Sequence, residues 1–231
     1  MNKEIGTLYI VATPIGNLED ITFRAVRILS EVDCILCEDT RTTGKLLAKY
    51  AIKNKTVSYH AHSTKGKESF IVDMLYSGKN IALVSDAGTP CISDPGVMLV
   101  QRVRSEFGDD AKVVPIPGAS ALISALSASG VSTAGFNFIG FLPHKKGRET
   151  LFKEIALSEI PVVFYESSHR ILKALSSLVE YLKEDRKVMI AREITKQFEE
   201  FKSGNAKELL EYYTLNPVKQ KGEFVVIVEG K

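Results

Sequence analysis

Leu8–Cys37 reads LYIVATPIGNLEDITFRAVRILSEVDCILC, and this stretch decides the fold. The apolar run Leu8–Thr13 gives way to the turn residues Pro14, Gly16 and Asn17. Ala25, Ile28, Leu29 and Val32 then fall on one helical face, with Asp20 or Thr22 placed to cap its start. A second apolar run, Cys34–Cys37, follows at once. Strand, helix and strand in this order imply parallel strands with a helix laid across their face.

The alternation continues outward from there. Further strands are expected at Thr56–Tyr59, Ile81–Ser85 and Lys112–Ile116, with helices over Glu68–Ser77 and after Pro95. The expectation is an α/β domain on a mainly parallel sheet. Pro115-Ile116-Pro117-Gly118 interrupts the pattern and sets the expected boundary, giving domains 1–116 and 117–231. Beyond it, Ala119–Ser129 is small and helical. Strands are expected at Phe136–Leu142, Pro161–Tyr165, Lys187–Arg192, Glu199–Lys202 and Gly222–Glu229. Helices are expected at Arg148–Leu157, His169–Leu182 and Ala206–Tyr213. The strands at Glu199 and Gly222 bracket only one short helix, so the second α/β domain should hold a mixed sheet.

At 231 residues the chain suits two ordinary domains, and 45% hydrophobic with 25% charged residues is enough to bury their cores. A formal net charge of +2 does not discriminate among partners. The chain runs into the strand at Leu8 with no basic–apolar–small leader, and no apolar run nears the ~20 residues of a membrane span. A cytoplasmic protein without membrane contact is expected. Cys34 and Cys37 form a C-x-x-C, but three positions apart in a strand they point to opposite faces. No second pair completes a zinc site. They read as small core residues, and no metal is expected.

Open α/β sheets bind ligands beyond the carboxyl ends of their strands. Three such ends carry Gly, Pro and small polar residues: Ala12–Asn17, Ser85–Pro90 with Ser93–Gly96, and Pro115–Ser120. Turns of this kind let backbone approach a ligand and offer free N–H groups. Neither G-x-G-x-x-G nor a P-loop occurs, so a nucleotide-like ligand would bind without those fingerprints. Glu38-Asp39-Thr40-Arg41, Tyr165-Glu166-Ser167-Ser168-His169-Arg170 and Arg192-Glu193-Ile194-Thr195-Lys196 also follow apolar strands. In the second of these, Glu166 or Ser168 could instead be an N-cap for a helix from His169. Pro143-His144-Lys145-Lys146-Gly147-Arg148 concentrates positive charge in one loop, either a solvated turn or a phosphate-binding segment.

Taken in order, T-P-I-G-N, C-E-D-T-R, S-D-A-G-T-P with S-D-P-G, I-P-G-A-S, G-F-L-P, Y-E-S-S-H-R and A-R-E resemble one family over nearly the whole chain. It is the ribosomal RNA small subunit methyltransferase I family, within the tetrapyrrole methylase superfamily. Wider relatives often carry a G-G-D-P-type turn where Ala87-Gly88-Thr89-Pro90 stands here, which speaks against a tetrapyrrole substrate. The resemblance implies a homodimer of two-domain chains, with S-adenosylmethionine folded into the cleft between the domains. It further implies methylation of a cytidine ribose 2′-hydroxyl in the decoding region of small-subunit rRNA, within the assembled subunit. Carried over by position, the cofactor contacts are Pro14, Ile15, Asp86, Gly88, Thr89, Ile92, Gly118, Ala119, Tyr165, Ala191, Glu223 and Phe224.

A ribose hydroxyl is a poor acid, so a positioned carboxylate helps to take its proton. Glu166 is the first expectation for this base and Asp39 the second, with Glu38 and Glu193 also candidates and Arg170 as an adjoining clamp. RNA contacts are expected from Arg41, Lys145, Lys146 and Arg148. The alternatives are a methylase of a corrin precursor and a non-catalytic ribosome-binding assembly factor.

Overall fold

The computed structural model describes residues 4–60, 65–182 and 185–231. The chain forms two compact units, one up to Ser120 and one from Ala121 onward.

In the first unit, strands β1 (Leu8–Val11), β2 (Cys34–Cys37), β3 (Thr56–Ser58), β4 (Ile81–Leu83) and β5 (Val113–Ile116) form one sheet in the order β3-β2-β4-β1-β5. Every pairing is parallel. Helices α1 (Phe23–Glu31), α2 (Thr40–Lys49), α3 (Lys65–Tyr76) and α4 (Gly96–Phe107) cover its two faces. The period of two sorts the strand residues. Leu8, Ile10, Cys34 and Leu36 pack with Ile71, Leu75, Leu99 and Val103 of α3 and α4. Val11, Ile35 and Cys37 pack with Ala25, Ile28, Leu29 and Leu47 of α1 and α2. The two cysteines therefore lie in different cores, both with thiol pKa raised by burial.

Because α1 leaves β1 on one face and α4 leaves β4 on the other, the chain diverges between these adjacent strands. Their carboxyl ends form the crevice at which such sheets take ligands. Both strands stop two residues before their expected ends. There the backbone turns out of the sheet, and Thr13 and Gly88 pair with each other across the gap. Helix α1 starts from Thr22, whose hydroxyl accepts the Ala25 N–H at 3.0 Å.

The second unit holds β6 (Asn137–Phe141), β7 (Val162–Ser167), β8 (Lys187–Arg192), β9 (Glu200–Asn205) and β10 (Glu223–Val228) in the order β6-β7-β10-β8-β9. Only β6 and β7 run parallel, so the sheet is mixed. Helices α6 (Arg148–Leu157), α7 (Ile171–Tyr181) and α8 (Ala206–Leu215) build the main core on one face, around Phe152, Phe164, Leu175, Tyr213 and Phe224. Helix α5 (Ala121–Ser129) packs on β10.

Two departures have local causes. Strand β9 runs past its expected end at Lys202 through Ser203 and Gly204, because both pair with β8. Asn205 then ends it by capping α8, in a reciprocal box with Glu208. Helix α7 begins at Ile171 with no side-chain cap, so neither Glu166 nor Ser168 plays that part.

Candidate active site

The loops after β1, β4 and β5 are tied into one wall. Thr13 N donates to Gly88 O at 2.9 Å and Gly88 N returns the bond to Thr13 O at 3.0 Å. Thr13 Oγ1 donates to Ser85 O at 3.2 Å, and Thr89 Oγ1 donates to Ala119 O at 3.1 Å. Gly88 has φ +81°, and a Cβ there would lie 3.3 Å from Ile15 Cγ2. A Cβ on Gly118 would lie 2.9 Å from that of Ala12. The wall is thus backbone packed on backbone and small side chains, with no room for larger ones.

Beyond Pro90 the chain passes through Cys91 and Ser93 at φ +71° and +63°, a costly shape for residues with a Cβ. Asp94 holds it: one carboxylate oxygen accepts Cys91 N and the other accepts Gly96 N, both at 2.7 Å. Within this turn Ile92 is 45% exposed.

Four carboxylates belong to this rim. Asp86 Oδ1 accepts the Asp39 N–H at 3.1 Å, which joins the loop after β2 to the loop after β4. Asp39 itself caps α2 and forks with Arg41 at 3.0 and 2.6 Å. The Arg41 guanidinium holds its carboxyl at about 2, which makes it a weak base. Glu38 is the opposite case. Burial, and then the Asp86 and Asp94 carboxylates, push its pKa up. A half-buried carboxylate raised in this way is the stronger proton acceptor.

In the second unit the register separates residues that adjoin in sequence. Glu166 stands opposite Phe224, which stands opposite Arg192, and this row faces the core under α6–α8. Tyr165 stands opposite Val225 and Val225 opposite Ala191, a row on the other face. Tyr165 there accepts the Leu122 N–H of α5 at 3.2 Å and packs edge-on against Phe138 and Phe141. Glu166 is 1% exposed, with Arg170 Nε at 2.8 Å and Arg148 Nη1 at 3.9 Å. Glu193 accepts from Lys196 Nζ at 2.9 Å and from Glu223 N at 2.9 Å, while Lys196 also reaches Glu223 at 2.7 Å. Although burial opposes it, the Lys196 ammonium keeps the Glu193 pKa low.

The model of the tetrapyrrole (corrin/porphyrin) methylases matches residues 7–210. The ribosomal RNA small subunit methyltransferase I of Pasteurella multocida is 48% identical over 232 residues, covering 100% of this chain and 82% of that one. The chain belongs to this methyltransferase family. Its counterpart in Bacillus subtilis is 45% identical, covering 99% of this chain and 76% of that one. Among solved structures the fold is shared with the methyltransferase CobJ, at TM-score 0.71 and 17% identity over 97% of this chain and 94% of that one. It is shared also with uroporphyrin-III C-methyl transferase from Thermus thermophilus complexed with S-adenyl homocysteine, at TM-score 0.66 and 16% identity over 97% of both chains.

The rim of the first unit fits S-adenosylmethionine, the methyl donor of this family. Gly88 and Gly118, where a Cβ would intrude, leave room for close approach, and Asp86 and Glu38 supply negative charge for a cationic ligand. Of the expected contacts, Pro14, Ile15, Asp86, Gly88, Thr89, Ile92, Gly118 and Ala119 all line these loops. In the second unit, Tyr165 and Ala191 share a face. Phe224 does not join them, because its ring is buried in the core against Tyr213.

Three further expectations are corrected. Glu166 is turned into the core and ion-paired, away from the face of Tyr165 and Ala191, so it is not placed to serve as the base. Arg170 pairs with it rather than standing free as a clamp. Arg148 is 6% exposed and directed inward, leaving His144, Lys145 and Lys146 as the exposed cationic or titratable groups of that loop. Asp94 lies in the Ser93–Gly96 segment expected at the ligand end, but its part in holding that loop is new. Its signal is local: an Asx residue shortly before a helix, among Ser, Pro and Gly, marks a side chain that ties its own loop. Among the described residues no three metal-ligating side chains are grouped to hold an ion, and no helix is long and apolar enough to cross a membrane.

Proposed function

We propose that the chain transfers a methyl group from S-adenosylmethionine to the ribose 2′-hydroxyl of a cytidine in the decoding region of small-subunit (16S) rRNA, acting on the assembled subunit. The observation that carries this reading is the backbone-walled rim beside a carboxylate of raised pKa, in a chain of this family. The bound cofactor supplies an electrophilic methyl on a sulfonium. The loops at Thr13–Ile15, Asp86–Ile92 and Gly118–Ala119 hold and orient it. Glu38 would accept the proton of the 2′-hydroxyl and later release it to water. Alignment against the sulfonium accounts for the rest of the rate.

Lys145 and Lys146, with Arg41 on the rim of the first unit, supply the positive charge for RNA phosphates; the Arg41 side chain is 87% exposed. The same proposal includes a cytoplasmic homodimer, for which Val97 and Met98 on the outer surface of α4 offer apolar area to a second copy. Light scattering should give twice the chain mass. Label from methyl-labelled cofactor should pass to undermodified small subunits and be recovered in a 2′-O-methylcytidine. Recovery on a base nitrogen or carbon instead would refute the reaction.

A further inference from the structure

The segment Pro143–Gly147 joins β6 to α6, and its residues 144–147 are exposed. It is fastened at both ends from inside the second unit. At its start, Arg170 Nη1 donates to Leu142 O at 2.8 Å and Arg148 Nη1 donates to Pro143 O at 3.2 Å. At its end stands Arg148 itself, the first residue of α6, whose N–H donates to Lys145 O at 3.3 Å. Both guanidinium groups converge on Glu166. Its own rotamer is fixed, since Oε1 also accepts the Ser167 N–H at 2.8 Å.

A buried and a half-buried cation on one buried carboxylate stabilise a fold poorly. Apolar residues of the same volume often serve stability better. Arg148 Nε and Nη2 and Glu166 Oε2 make no hydrogen bond, and burial lowers the Arg148 pKa. What the cluster does accomplish is geometric. It gives the loop one shape, with Lys145 and Lys146 outward.

We propose that Glu166 is a positioning residue for the RNA substrate: through Arg148 and Arg170 it holds the Pro143–Gly147 loop ready to meet phosphates. This rests on the reading of the chain as an RNA methyltransferase. A loop that is already ordered loses less freedom when its lysines engage phosphate. Such contacts help ground and transition states alike, so the role shows in KM rather than in kcat.

The test uses the full chain, undermodified small subunits and methyl-labelled S-adenosylmethionine. Glu166→Gln and Arg170→Lys are compared with Lys145→Ala/Lys146→Ala. Arg170→Lys keeps a cation against Glu166 and carries the test should Glu166→Gln fail to fold. KM for the subunit should rise about tenfold, with kcat within about twofold and cofactor affinity unchanged. Trypsin should nick faster after Lys145 and Lys146. Adding the lysine substitutions to Arg170→Lys should cost little more, because the two act through one loop. A fall in kcat at constant KM, unchanged nicking, or full additivity would overturn the proposal. A wild-type chain that never labels subunits refutes the RNA reading itself and this role with it, while the nicking assay still reports on the clamp.

Discussion

Gly88→Ala and Gly147→Ala separate backbone strain from ligand approach, because both glycines sit at φ +81°. Left-handed backbone costs an alanine about 1–2 kcal/mol at either position. Around Gly147 a new Cβ meets nothing within 4 Å, so strain is the whole effect there. At Gly88 the same Cβ lies 3.3 Å from Ile15 Cγ2 and 3.7 Å from Ala119 O, both on the cofactor rim. Gly147→Ala should lose the strain alone, a fall in Tm of about 2–4 °C per kcal/mol for a chain of this size, and Gly88→Ala at least as much. Only Gly88→Ala should also lose S-adenosylmethionine, by at least about tenfold in Kd, or ~1.4 kcal/mol. Calorimetric titration with S-adenosylhomocysteine, beside thermal melts of both variants, measures the two effects separately. Equal affinities in both variants, or a loss shared by both, would show that the loop after β4 is not the cofactor wall.

Glu38→Gln should lower kcat by about 10²–10⁴-fold with cofactor affinity preserved, whereas Asp39→Asn should be far milder because Arg41 already holds that carboxyl at about 2. Burial raises the Glu38 pKa, so the base form appears only as pH climbs through that raised value. The acid limb of kcat should therefore lie above the ordinary value of 4.5 and vanish in Glu38→Gln; an unchanged profile would clear Glu38 of this role. Lys145→Ala/Lys146→Ala should weaken subunit binding and flatten its log–log salt slope by roughly 0.7–0.9 per lost phosphate contact, with cofactor affinity intact. Arg186 donates to Ile155, Ala156, Ser158 and Glu229 carbonyls, so Arg186→Ala should destabilise the second unit by about 3 kcal/mol or more, read by denaturant melts.

The strand and helix order was legible because its signal is periodic. Cys34 and Cys37 fall in separate cores as alternation requires, and Arg148–Leu157 and Lys187–Arg192 have the extents expected of them. Helix α2 escaped notice. Thr42, Thr43 and Gly44 are weak helix formers, and the helix depends on the Asp39 cap and on burial of Leu46 and Leu47. The glycine turns of the rim were visible as residue types, but the Thr13–Gly88 pairing that joins them is made across 75 positions. Charge was the least legible property. Arg148 sits in a run of basic residues and reads as solvated, yet tertiary packing turns it inward. The face of Glu166 could have been counted from Phe164, two residues earlier on the same side of β7. Its polarity among strand-end residues suggested a ligand instead.

The most direct measurement is to incubate the chain with methyl-labelled S-adenosylmethionine and undermodified small ribosomal subunits, then map the labelled nucleotide. Label is expected on the 2′-oxygen of a cytidine in the decoding region, and a chain bearing Glu38→Gln should bind cofactor but transfer its methyl poorly. Label entering a tetrapyrrole and not the subunit, or cofactor binding with no transfer to RNA under any condition, would contradict it.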